Sequence, residues 1–323
     1  MSFVEQLQSI GDFLWSYPLL ILLLGTGIFL TFALRGIQFR KLFTALKLIF
    51  TGEKGDDKGK GDISHFQSLM TALAATVGTG NIVGVATAIA IGGPGALFWM
   101  WMTGLVGMAT KYAETLLGVK YRKENAEGEI AGGPMYYIKV ALKKKWPATL
   151  YAVFGLIGAI GLGNMIQANS ISQSITGAFG LSTVWIALIL MIFTAFVILR
   201  GIKSIGRVTE IIVPIMIVAY FATALIIVFS HLDILGDVLA LIVRSAFQGT
   251  AAVGGFAGVG VMMTIRMGVA RGLFSNESGL GSAAVVAAAA RTKKPQTQAL
   301  IAMTQTFIDK IGRASCRERV CHR

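Results

Sequence analysis

The sequence predicts an all-α transmembrane protein, and three observations carry that prediction. The 323 residues are 54% hydrophobic and only 14% charged, with a mean hydropathy of +0.70. Soluble domains carry about 25% charged residues. The apolar residues gather into runs that approach the roughly 20 residues a bilayer demands. The basic residues gather into alternate connections between those runs, the signature of topology control.

Seven apolar spans can be drawn, at about 16–34, 66–91, 96–118, 148–170, 183–199, 208–230 and 248–270. Between them, segment 35–60 carries seven Lys or Arg, 120–145 seven, 200–207 three and 266–294 five. Segments 1–15, 92–95 and 171–182 carry none, and 231–247 only Arg244. The positive-inside rule then places the N-terminus outside and the rich segments in the cytoplasm. The net charge of +13 is therefore membrane topology, not a nucleic-acid surface. The first fourteen residues carry Glu5 and Asp12 and no Lys or Arg, unlike a secretory leader. An eighth apolar helix opens near Gln298 and the chain ends inside it. The last stretch, GRASCRERVCHR at 312–323, holds both cysteines and differs from all that precedes it. It reads as a non-native tail on a single membrane domain, 1–311.

Between the spans, GEKGDDKGKGD at 52–62 reads as a solvated linker, and 233–247 as an amphipathic helix at the outer interface. Pro147 and Pro214 read as residues near helix starts, and Trp15, Tyr17, Trp146 and Trp185 as interfacial anchors.

The second span holds the main anomaly. Thr76, Gly78, Thr79, Gly80 and Asn81 crowd the middle of TALAATVGTGNIVGVATA, 71–88. Each interior Gly costs a helix about 1 kcal/mol relative to Ala. One reading is close packing, since Gly80 and Gly84 have GxxxG spacing. The other is a helix break near 77–81, whose freed N–H groups suit a carboxylate and whose freed carbonyls suit a cation. A second Gly-rich interruption, AAVGGFAGVG at 251–260, lies five spans later. An odd step of five inverts orientation, so the pair suggests two antiparallel five-helix repeats, about 66–230 and from about 248.

Other polar residues in spans are few. Asn164 and Gln167 share a helix face, three residues apart. They read either as interhelical hydrogen-bonding groups or, for Gln167, as a group facing the cavity of the break. Lys111 and Glu114 read as a snorkelling surface pair, and Arg266 and Arg271 as anchors at the inner end of span seven. SNESG at 275–279 reads as a helix N-terminus capped by Ser275 or Asn276. No HExxH motif, serine elbow or Cys/His cluster appears, so no enzyme chemistry is suggested. A non-transporting bundle and a channel remain as other classes, the latter calling for charged or carbonyl rings.

Several long stretches resemble the alanine or glycine:cation symporter family. They are ALAATVGTGNIVGVATA with GGPGALFWMWMTGLVGMATKYAE (92–114), AGGPMYYI (131–138), GIKSIGRVTEIIVP (201–214) and GVARGLFSNESGLGSA (268–283). The resemblance implies a LeuT-type inverted-repeat fold of eleven helices, of which this chain holds about seven. It implies sodium-driven uptake of alanine or glycine across a prokaryotic plasma membrane, with H+ as the alternative coupling ion. It points to Thr76, Gly78, Thr79, Gly80, Asn81, Gln167, Gly254, Gly255, Phe256, Met263 and Thr264 for substrate contacts. Thr76, Gly78 and Asn81 are the candidate Na+ contacts, with their partner helix expected to be missing from a truncated chain.

Overall fold

The computed structural model describes residues 2–15, 18–52, 59–248 and 257–311. The tail at 312–323 and the glycine-rich segment 249–256 lie outside them. Helix α1 (Phe3–Leu14) opens on a capping box between Ser2 and Glu5. The sequence reading treats this segment as a connection; its apolar Val4, Leu7, Ile10 and Phe13 are exposed. Helix α2 (Pro18–Ala33) is the first span, followed by α3 (Ile37–Arg40) and α4 (Leu42–Thr51). Helix α4 turns Ala45 and Ile49 inward and leaves Phe43 and Phe50 exposed, so it too is amphipathic.

The second span is two helices, α5 (His65–Thr76) and α6 (Thr79–Gly92). Helix α7 (Gly95–Lys120) is the third. A two-residue hairpin, β1 (Lys123–Glu124) with β2 (Ile130–Ala131), and α8 (Pro134–Ala141) come after it. The fourth span is α9 (Trp146–Gly158), a π-helical turn (Ala159–Met165) and α10 (Ile166–Phe179). Then come α11 (Thr183–Ile198), α12 (Ile202–Phe229), α13 (Leu232–Gln248), α14 (Ala257–Asn276), α15 (Ser282–Ala288), α16 (Pro295–Thr306) and a closing π-helical turn (Phe307–Ile311).

The outer shell is apolar, unlike that of a soluble protein. On α11, Trp185, Ile189, Ile192, Phe193 and Phe196 are all exposed, and only Ile186 is buried. Helix α12 is long and apolar enough to cross a membrane. Apolar surface on this scale is tolerable only against lipid or another apolar partner. The centre, built by α5, α7, α14 and α16, is instead rich in buried Thr, Ser and Gln. Two placements depart from the sequence reading. Pro214 stands well inside α12, because Lys203, Arg207 and Glu210 keep its first turns out of any apolar window while leaving them helical. Arg266 and Arg271 lie along α14 beside the start of α7, where Thr264 and Gly268 meet Gly92 and Ala96. They are thus remote from the basic end, where Lys60, Arg122 and Thr292 meet.

Candidate functional site

Two interrupted helices face each other at the centre of the bundle. The first break lies at Val77–Gly78. Val77 closes α5 at φ −88° and ψ 93°, and Gly78 is fully extended at φ −154° and ψ −170°. Helix α6 then starts behind Gly78, which has no side chain of its own to cap it. A Cβ on Gly78 would collide with the carboxamide of Gln167. Glycine therefore lets Gln167 lie directly against the break. The π-helical turn just before α10 sets that approach. It holds Asn164 on its own backbone, Nδ2 donating to Ala159 O at 3.1 Å, and leaves it exposed. Gln167, at the start of α10, is instead part-buried against Gly78.

The Gly-rich 251–256 lie outside the described residues, and within these a second interruption stands elsewhere. It is the connector Glu277–Gly281, between α14 and α15. Asn276 and Ser278 are buried, and Asn276 Oδ1 accepts from Ser278 N at 2.9 Å. Glu277, Gly279 and Gly281 all take positive φ, of 53°, 93° and 79°. A side chain at Gly281 would also run into Pro134. Thus Ser275 and Asn276 end a helix here, where the sequence suggests that they start one. The Asx turn and the left-handed residues after it stop α14.

The two broken helices run antiparallel. The end of α6 meets the first half of α14: Thr264 Oγ1 donates to Gly92 O at 2.6 Å. The approach to α5 meets the exit of α15: Ile63 and Ala290 form a parallel bridge. Arg122 fastens this end, its guanidinium donating to the carbonyls of Lys60, Ala288, Ala290 and Thr292 at 2.6 to 2.9 Å. Asp62 adds a contact to Ile130 N at 2.9 Å.

Helix α16 lies between the breaks and touches both. It runs parallel to α5. His65 Nδ1 donates to Gln298 Oε1 at 2.6 Å, because an amide oxygen only accepts, and Gln298 Nε2 donates to Ser68 Oγ at 2.9 Å. Two turns on, Gln305 Nε2 donates to Ala72 O at 3.0 Å and to Thr76 Oγ1 at 3.2 Å. The next residue, Thr306, meets Ser278 Oγ at 3.3 Å. Adjacent residues of α16 thus reach opposite breaks. Gln305 Oε1 is buried without a protein partner, an acceptor left over next to freed backbone.

The sequence candidates separate accordingly. Thr76, Gly78 and Gln167 converge on the first break. Thr79, Gly80 and Asn81 form the first turn of α6, with the side chains of Thr79 and Asn81 outside the described residues. Gly254, Gly255 and Phe256 lie outside them entirely. Thr264 does not join the group. It sits against the far end of α6, fourteen residues and about 20 Å from Gly78. Met263 is on an exposed face. Sequence reasoning missed Gln305, whose signal was Gln at 298 and 305, two turns apart in an apolar helix. It also placed Lys111 and Glu114 on the surface. Both are buried, 0% and 6% exposed, under the 277–281 connector that local sequence could not bring to them.

A helical bundle with a lipid-compatible shell, a polar centre and two antiparallel broken helices is built as a membrane transport protein. The model of the sodium:alanine symporter family matches residues 1–316, and the chain belongs to that family. An uncharacterized transporter of Haemophilus influenzae is 50% identical over 312 residues, 96% of this chain and 68% of that protein. The sodium/alanine symporter AgcS of Methanococcus maripaludis is 49% identical over 315 residues, again 96% of this chain and 68% of its own length. The probable sodium/glutamine symporter GlnT of Bacillus subtilis is 40% identical over 291 residues, 90% of this chain and 59% of its own length. This is therefore a multi-pass membrane protein of sodium-coupled amino-acid transport, with Na+ as the coupling ion.

Proposed function

We propose that the molecule imports a small neutral amino acid, alanine or glycine, with Na+ across the plasma membrane by a LeuT-type alternating movement of two inverted repeats. The observation that carries this reading is the break at Val77–Gly78, with Gln167 against it and the spare oxygen of Gln305 beside it. The N–H groups that open α6 suit the substrate carboxylate. The carbonyls and hydroxyl that close α5, with Gln305 Oε1, suit a sodium ion. The Gln167 amide packs so close to the Gly78 backbone that a Cβ at 78 would clash with it, a crowding that favours a substrate with a small side chain. Co-binding of Na+ and a zwitterion then balances charge before the site turns inward. The membrane potential contributes about 2.3 kcal/mol per charge per 100 mV. With the basic end in the cytoplasm, Arg122 and the Ile63–Ala290 bridge form the closed inner side.

The test is uptake of labelled alanine and glycine into proteoliposomes, with an inward Na+ gradient and with choline in its place. Uptake that requires Na+ and is competed by alanine supports the reading. Equal uptake in choline, or an ohmic conductance without saturation, would sink it. That AgcS is a sodium/alanine symporter by name supports alanine as the first substrate to try.

A further inference from the structure

The second break is occupied by charge that belongs to the protein. Lys111, on α7, is 0% exposed. Its Nζ lies 3.2 Å from the carbonyl of Glu277, just past the end of α14, which also accepts from Leu280 N at 3.2 Å. It is also 3.0 Å from Glu114 Oε1. The other oxygen of Glu114 accepts from Gly279 N at 3.0 Å and Gly281 N at 3.2 Å. One turn of α7 thus supplies a cation to the closing end of α14 and an anion to the N–H groups leading into α15, each opposite in sign to the partial charge there. The remaining acids nearby are held on other sides. Glu277 accepts from the Ser282 hydroxyl, and Asp309 from Ser275 Oγ at 3.2 Å. The Tyr137 phenol, on α8, is pushed up by burial and further by the nearby Glu114 carboxylate.

A backbone carbonyl and a carboxylate oxygen, both within 3.2 Å of a single buried positive centre, form the oxygen set that unwound transporter helices offer to Na+. An ammonium is a compact point charge able to fill the same place. We infer that Lys111 is a resident cation. It occupies the cation position of the second break permanently, so that this break takes up no mobile ion and the coupling Na+ is confined to the first. Lys111 is a positioning residue, holding the 277–281 connector in register beside Thr306 without touching substrate. The inference rests on the Na+-coupled reading above.

The experiment is 22Na+ binding to the purified protein in lipid nanodiscs at pH 8.5, where free carboxyls are ionised. Lys111→Met should bind an additional Na+ per chain, because Glu114 and the Glu277 carbonyl are then left to a mobile ion. Lys111→Met/Glu114→Gln, neutral and nearly isosteric, should return to the wild-type count. Na+ should also raise the unfolding midpoint of Lys111→Met more than that of the wild type. A folded Lys111→Met with the wild-type count overturns the inference. So does a double variant that binds less Na+ than the wild type, since the pair would then be part of the coupling site itself. The double variant keeps this second test available if Lys111→Met fails to fold. A wild type that binds no Na+ would overturn the symport reading instead. The gain of an ion on removing Lys111 would still decide the resident cation.

Discussion

The two helix breaks solve one electrostatic problem in opposite ways. Both free backbone N–H and C=O groups in a water-poor interior, where each unsatisfied group is expensive. At Glu277–Gly281 the protein supplies the compensation, with Lys111 on a carbonyl and Glu114 on two amides. At Val77–Gly78 no charged side chain is in reach among the described contacts, and the neighbours are the neutral amides of Gln167 and Gln305. A break that is already compensated is a fixed joint. A break compensated only by neutral amides is one that a zwitterion and an ion can complete. The difference between them, and not the presence of breaks as such, marks the first as the binding centre.

The sharpest way to break the comparison is to remove Glu114. Glu114→Ala leaves the Lys111 ammonium and the N–H groups of Gly279 and Gly281 buried without their partner. Breaking a buried pair costs about 3–5 kcal/mol. The expected outcome is loss of monodisperse folded protein, or a large drop in unfolding midpoint in detergent. Lys111→Met/Glu114→Gln should retain more stability than Glu114→Ala, since no lone charge remains. A Glu114→Ala protein as stable as wild type would mean that the second break does not depend on the pair.

Glycine substitutions separate the breaks next. Gly281 combines φ of 79° with a neighbouring Pro134, so Gly281→Ala should destabilise by about 1–3 kcal/mol. Gly78 is extended, a conformation alanine adopts freely, and only the Gln167 amide must give way. Gly78→Ala should therefore change stability by no more than about 1 kcal/mol. It should lower alanine uptake by about tenfold or more, through displacement of Gln167. Equal stability losses at the two glycines would erase the distinction between the breaks. Gln305→Leu lies between these. It removes the bonds to Ala72 and Thr76, a loss of about 1 kcal/mol, and should raise the Na+ concentration needed for half-maximal uptake.

Much of this is legible in the sequence, and the rest fails for physical reasons. Each apolar run became helix wherever the structure describes it, because burial in lipid needs no tertiary partner to announce it. The first break shows as Gly and Asn in a span, since a local cost in helix propensity is a local signal. The second does not, because SNESG is equally good chemistry for starting a helix and for stopping one. Only the Asx turn at Asn276 and the left-handed residues 277, 279 and 281 decide which. The resemblance offers Thr264, just beyond the second Gly-rich stretch, as a substrate contact, yet α14 carries it to the far end of α6. Lys111 and Glu114 look like a surface pair because i,i+3 charges on one helix face usually are. Their burial comes from a connector some 165 residues away in sequence, which no window of the sequence can show.

That last error has its own control in the molecule. Lys60 and Glu124 form a second Lys–Glu pair, at 2.8 Å against 3.0 Å for Lys111 and Glu114. Its side chains are 79% and 49% exposed, whereas the central pair is 0% and 6%. The hydrogen bond and charge of Lys60 hold the Glu124 carboxyl below its usual value. A depressed acid contributes stability above its unfolded pKa, here about 4.3, and loses it as pH falls through the folded value. Any contribution of this pair is therefore present at neutral pH and gone in strong acid. Because solvent screens the pair, Lys60→Met should leave the unfolding midpoint in physiological salt unchanged within error, and alter only its acid limb at low salt. Lys60 also gives its carbonyl to Arg122, but that is backbone and survives the substitution. If Lys60→Met were as damaging as Glu114→Ala, charge separation alone would govern both pairs. The compensated break would then owe its firmness to something other than the burial of Lys111.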